Sequence, residues 1–179
     1  MSIDEFKDKV PAVRSWIIDL LSRTQAHGRP VAEYNFLNLP RFYPFQILSA
    51  AKVVVVDQLP LIPLSSMGLG QFAEFQKGDY AGITYGNTYF VVSKYIHDEA
   101  LHFHELIHVI QWAHLGVDKF LLLYGLGLLQ FGYRNSPLEE MAYRYQSLFQ
   151  QGRCPVDLVA RVCNETTMLY NQFSKEQGA

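Results

Sequence analysis

Cysteine is almost absent: Cys154 and Cys163 are the only two among 179 residues. They cannot build a disulfide scaffold, and neither belongs to a CxxC pair of the kind that holds a structural metal. Long apolar runs are missing as well. No stretch reaches 18 residues, so no transmembrane helix is expected. Basic charge is in no excess, with 15 Lys and Arg against 17 acidic residues, a net charge of −2 and a pI near 6.3. That balance lacks the electrostatic footprint of a nucleic-acid binder. Residues Met1 to Asp8 carry charges throughout and no apolar signal core, so the expected setting is cytoplasmic. Internal repeats and linkers are absent, and Gly68-Leu69-Gly70 lacks the GK[ST] of a phosphate loop. Apolar residues, in contrast, are plentiful: 49% hydrophobic and 14% aromatic supply a well-buried core for one domain spanning 1–179.

The pattern along the chain is helix, a few strands, then helices. Ser2 and Glu5 have the spacing of a capping box, and Val13, Trp16, Ile17, Leu20 and Leu21 recur at helical intervals. A helix is therefore expected from Ser2 to about Ala26, broken at Pro11. Residues 31–45 read as irregular chain packed on the core, and Pro44 opens a short helix through Ala51. The four valines between Lys52 and Asp57 read as a buried strand. Tyr80–Tyr85 and Thr88–Ser93 flank Gly86-Asn87 as a hairpin. Asp98 caps a helix to about Ala113 that Gly116 closes. Asp118–Phe131 is too short to span a bilayer and lacks the basic face of a surface-bound helix, so it reads as buried. Ser136-Pro137 opens a helix to Gln151, and Pro155 opens the last. The expected class is α+β, with a small mixed or antiparallel sheet. Within it, 1–50 is the N-terminal helix and irregular segment, 51–150 the core, and 151–179 the C-terminal helix.

The chemistry lies in His104-Glu105-Leu106-Ile107-His108, an HExxH sequence. On a helix, positions i and i+4 share a face, so both imidazoles reach one metal ion. The glutamate beside them is placed to take a proton from metal-bound water. With six histidines in the chain, chance produces this motif in roughly 1% of such sequences. Phe103, Leu106, Ile107, Ile110 and Ala113 form an apolar arc, with the motif expected at its edge. His102 points about 160° away from His104 and reads as structural or surface. His114 suits the helix C-terminus.

Catalytic zinc usually takes three protein ligands. Glu139 and Glu140 are the downstream candidates. With Leu138, Met141, Ala142, Tyr145, Leu148 and Phe149 as the core arc, Glu139 borders the arc and Glu140 faces solvent. Glu139 also completes a capping box with Ser136, which would explain it without a metal.

His104-Glu105-Leu106-Ile107-His108-Val109-Ile110-Gln111, followed by Pro137-Leu138-Glu139-x-x-Ala142-Tyr143, resembles the gluzincin metallopeptidases, closest to small bacterial gluzincin-like domains. The resemblance covers about residues 80–150. It implies a zincin-like minimal metallopeptidase fold, one zinc per chain on His104, His108 and Glu139, and Glu105 as general base in peptide-bond hydrolysis. Tyr143 stands where the thermolysin branch has Asp, which leaves the partners of the histidines unassigned. The third histidine of metzincins is absent. Tyr143, one turn after Glu139, is the leading candidate for stabilising the tetrahedral intermediate, with Tyr133 and Arg134 in the preceding loop beside it, and Trp112 is the candidate for walling the cleft. By the same resemblance, Gly82, Ile83, Thr84 and Tyr85 form the sheet edge that holds an extended peptide substrate. Two other readings stand beside this one. In the first, the domain is non-catalytic and keeps zinc for structure or interaction. In the second, residues 58–78 or 117–131 cover the cleft and hold the enzyme inactive.

Overall fold

The computed structural model describes residues 3–76 and 78–176. It is an α+β arrangement in which a small sheet lies between two layers of helix. Helix α1 spans Ile3–Lys7 and α2 spans Val10–Thr24. The break thus falls before Pro11 rather than at it, because proline is tolerated in the first turn of a helix. Ser2, half of the expected capping box, lies outside the described residues. Short 3₁₀ turns at Val31–Tyr34 and Leu39–Arg41 occupy the aromatic segment, and α3 (Phe45–Ala50) follows Pro44.

Four strands form the sheet: β1 (Arg29–Pro30), β2 (Lys52–Val56), β3 (Gly82–Tyr85) and β4 (Thr88–Val92), in the order β1-β2-β4-β3. β2 pairs parallel with β4, while β1–β2 and β3–β4 are antiparallel, so the sheet is mixed. Side chains alternate across it. Val54, Phe90 and Tyr85 join the core with α2, whereas Val53, Tyr89 and Val91 pack on the opposite side. Register sets Gly82 opposite Val91 and Thr84 opposite Tyr89, so Gly82 and Thr84 face that second layer too.

After a further short helix, α4 (Ala73–Gln76), and the hairpin, the second layer is built around α5 (Glu99–Leu115). Asp98 caps it through bonds from Ala100 N and Leu101 N, and Gly116, at φ 74°, ends it. α6 (Val117–Phe131), α7 (Pro137–Gln150) and α8 (Leu158–Glu176) all pack against α5, as does β3. α8 begins three residues beyond Pro155, not at it. Every residue of α5 from Ala100 to Trp112 is buried. The expected one-sided helix with its motif at the edge is thus corrected: neighbours enclose α5 all round. Its motif faces protein rather than an open surface. No helix among the described residues is long and apolar enough to cross a membrane.

Candidate metal centre

Two helices deliver the three candidate ligands. α5 presents His104 and His108 one turn apart, with ring centroids 4.8 Å from each other. α7 docks on α5 through buried Leu138, Met141 and Ala142, and this carries Glu139 into the same space. Glu139 Oε2 lies 3.4 Å from His104 Nε2, and Oε1 lies 3.4 Å from His108 Nε2. The candidate ligand atoms all fall within 4.8 Å of one another. Glu140 is exposed. The capping alternative for Glu139 finds no support, since the Ser136 side chain makes no capping bond and its buried Oγ has no partner.

The chemistry of this donor set fits a metal ion. Gln111 Nε2 donates to the Leu138 carbonyl at 3.2 Å, which turns its Oε1 toward His108 Nδ1 at 2.8 Å. That nitrogen must carry a proton, leaving the Nε2 lone pair free in the neutral ring. His104 Nδ1 meets Gln146 Oε1 at 3.1 Å in the same sense. The two Nε2 atoms then face each other at 3.1 Å. Two lone pairs this close beside a carboxylate call for a cation, either a proton or a metal. Glu139 Oε2, buried without a hydrogen-bond partner, repeats the demand. A buried His-His-Glu group that could bind a metal ion is thus present.

The two glutamines answer the question that Tyr143 left open, because they orient the imidazoles where the sequence showed no carboxylate. Their signals were spacing alone: Gln111 lies three residues after His108, and Gln146 shares a helix face with Glu139 two turns earlier. Tyr124, on α6, donates to Glu139 Oε1 at 2.7 Å and was not foreseen. His102 is fully buried, bonded to Tyr89 Oη and the Ile96 carbonyl, and so is structural. His114 is exposed and bonds Thr167.

Burial disfavours the His108 cation, yet the Glu139 carboxylate outweighs burial and raises its pKa from 6.5 to about 9. Burial likewise opposes ionisation of Glu139, but the histidines hold its carboxyl far below the usual range. In chelated protein, this pair's stabilisation is whole between pH 4.5 and pH 6.5, fades as pH rises through about 9, and fades in acid as Glu139 takes up a proton. Thermal melts of chelated protein should lose Tm from pH 6.5 to about 9. A flat profile there would contradict the pairing.

Glu105 stands beside the group. Thr84 Oγ1 donates to its Oε2 at 2.6 Å. Its Oε1 lies where a Cβ on residue 82 would come within 2.5 Å, so glycine there makes room for the carboxylate. Burial pushes the Glu105 carboxyl up, against the pull of His104, His108 and Thr84. Gly82, Ile83, Thr84 and Tyr85 form the edge strand and line a cavity of about 80 Å³ shared with the motif. Within it, Thr84 holds Glu105 and Tyr85 donates to the Pro60 carbonyl. Trp112 lines the cavity, as do Tyr80, Tyr124 and Tyr133. Tyr143 packs its ring on His104 at 4.6 Å, and its hydroxyl is 3.5 Å from that of Tyr133.

Compared with known proteins, the chain matches no family model, no curated protein and no solved structure.

Proposed function

We propose that this protein is a zinc metallopeptidase of gluzincin type, with a zincin-like core, acting on peptide or protein substrates in the cytoplasm. The observation that carries the reading is the meeting of Glu105 with the His104–His108–Glu139 group on one cavity. Two imidazole nitrogens and a carboxylate are a zinc donor set that leaves a fourth position for water or substrate. Zinc, when bound, polarises a scissile carbonyl and brings the pKa of water toward ~7.

The remaining work falls to the chain. Thr84 occupies one oxygen of Glu105 and fixes the carboxylate, leaving the other to accept a proton from the attacking water. Glu105 then delivers that proton to the leaving amine. Gln111 and Gln146 hold the imidazole tautomers, and Tyr124 holds Glu139. Tyr133 brings a phenol to the cavity wall, with Tyr143 beside it. On this reading Tyr133, which lines the cavity, is the phenol that would stabilise a developing oxyanion, with Tyr143 as its neighbour.

Purified protein should contain about one zinc per chain, and His104→Ala and His108→Ala should each remove it. The loaded protein should cleave an unfolded protein substrate, stop on chelation and recover on readdition of zinc. Full zinc retention in both variants would overturn the site; a zinc-loaded protein inactive against a broad peptide library, both intact and nicked within 58–78, would overturn the peptidase.

One observation favours the covered-site reading. His104, Glu105, His108 and Glu139 are each at most 5% exposed, and Ile62, Leu64 and Phe72 from 58–78 and Leu121 from α6 wall the cavity. On this reading a zinc-loaded but silent protein gains activity when nicked within 58–78.

A further inference from the structure

A second concavity lies away from the metal centre. Residues of α1, α2, α6 and α8 leave between them an open groove of about 340 Å³. Helical spacing sends neighbouring residues to different sides: Phe6, Val13 and Leu121 line the cavity at the metal centre, whereas Lys7, Arg14 and Leu122 line the groove. Only Val10 is common to both, and no residue of the His-His-Glu group reaches the groove.

Part of the lining is apolar. Val10 is buried, Leu122 is half-buried and Pro11 is exposed beside them. The rest carries an excess of one sign. Lys7 of α1, Arg14 of α2 and Lys119 of α6 face the groove against one acid, Asp118, while α8 contributes Tyr170. Three cations and one acid leave two positive charges, in a chain whose net charge is −2. Arg14 Nη1 donates to both Asp118 oxygens, at 3.0 and 2.9 Å, so that acid is already occupied. Lys119 pairs with no carboxylate among the described residues; its Nζ stands 5.2 Å from the Tyr170 ring centroid. The Tyr170 hydroxyl forms no hydrogen bond among them either. The cation–π contact positions the ammonium, which reduces the ordering a ligand must impose on a long side chain.

Small-ligand sites of ~300–1,000 Å³ typically combine an apolar lining with a few placed polar groups, and the groove has that make-up. We propose that it binds an anionic amphiphile, a carboxylate or phosphate head on a short alkyl body. The head lies against Lys119 and the Tyr170 hydroxyl, in the field of Lys7, and the alkyl body covers Val10, Pro11 and Leu122. This site does not depend on the hydrolysis reading.

Equilibrium dialysis of the full chain against octanoate, octyl phosphate and octylamine, each below its micellar concentration, tests the assignment. Both anions should bind saturably and at least about tenfold tighter than the amine. Lys119→Glu, an exposed substitution, should weaken both anions by at least about tenfold, while Lys119→Arg keeps them. Pro11→Glu, in the first turn of α2, places the same repulsion in the groove and serves if Lys119→Glu does not fold. Lys94 stands over Tyr95 at 4.7 Å but outside the groove, so Lys94→Glu should change nothing. Equal losses in Lys119→Glu and Lys94→Glu would reduce the effect to overall charge and overturn the groove. Equal binding of octanoate and octylamine, or no saturable binding of either anion, overturns it as well. Binding that survives Lys119→Glu but disappears in His104→Ala puts the head on the metal centre, which also overturns it. With the groove upheld, the tighter head names the source: a free fatty acid for octanoate, a phosphate ester for octyl phosphate.

Discussion

Replacing Glu105 with glutamine should leave zinc bound and the fold intact while lowering the hydrolysis rate about 10²–10⁴-fold, the usual contribution of a general base. The glutamine amide still accepts a bond from Thr84, whose Oγ1 is 2.6 Å from Glu105 Oε2, so the side chain stays in place. It cannot take up a proton. Removing a buried carboxylate that burial already disfavours as an anion should not lower Tm. The checks are metal content, a thermal melt and turnover on one preparation. Equal turnover in wild type and variant would remove Glu105 from the mechanism. Loss of zinc in the variant would make Glu105 a structural partner of the histidines instead.

Glu139→Gln should weaken zinc binding by more than the ~10–100-fold that loss of an outer partner costs, while Glu140→Ala leaves it unchanged. The carboxylate sits 3.4 Å from both Nε2 atoms, and a neutral amide there is a far poorer zinc ligand. Tyr124 can still donate to the amide oxygen as it does to Oε1 now, so the side chain keeps its anchor. A role confined to capping predicts the opposite pattern: unchanged zinc affinity, with Glu139→Ala costing about 0.5–2 kcal/mol of stability. Competition titration against a chelator distinguishes the two. Unchanged affinity in Glu139→Gln would show that another residue is the third ligand.

Much of this arrangement was legible in local pattern. The cap at Asp98, the stop at Gly116 and the turn at Gly86 each depend on one or two residues and the backbone they favour. The choice of Glu139 over Glu140 rested on one step of 100° around a helix, and the burial of the first and exposure of the second follow it. The environment of α5 did not follow from its sequence. Phe103, Leu106 and Ile107 define an arc, but Val109, Leu101 and the motif itself are buried as well. A helix wrapped on every side carries no contrast between faces for periodicity to detect.

The same division separates the site's ligands from their supports. HExxH spacing by itself puts two imidazoles on one face, because i and i+4 are neighbours in any α-helix. Which nitrogens are free, however, was decided by Gln111 and Gln146, and the reach of Glu105 by an absent side chain at Gly82. Tyr124 meets Glu139 across two helices, and Phe6 meets Gly125 more than a hundred residues away in the chain. The parallel pairing of β2 with β4 likewise depends on where an intervening segment crosses, not on either strand's residues. The sequence by itself determined the helical register of the chemistry, since that needs only the 3.6-residue turn. Tertiary packing decided the burial, the cavity and the tautomers: Gln111 neighbours His108 on one helix, but the Leu138 carbonyl orients it, and Gln146 reaches His104 from another helix.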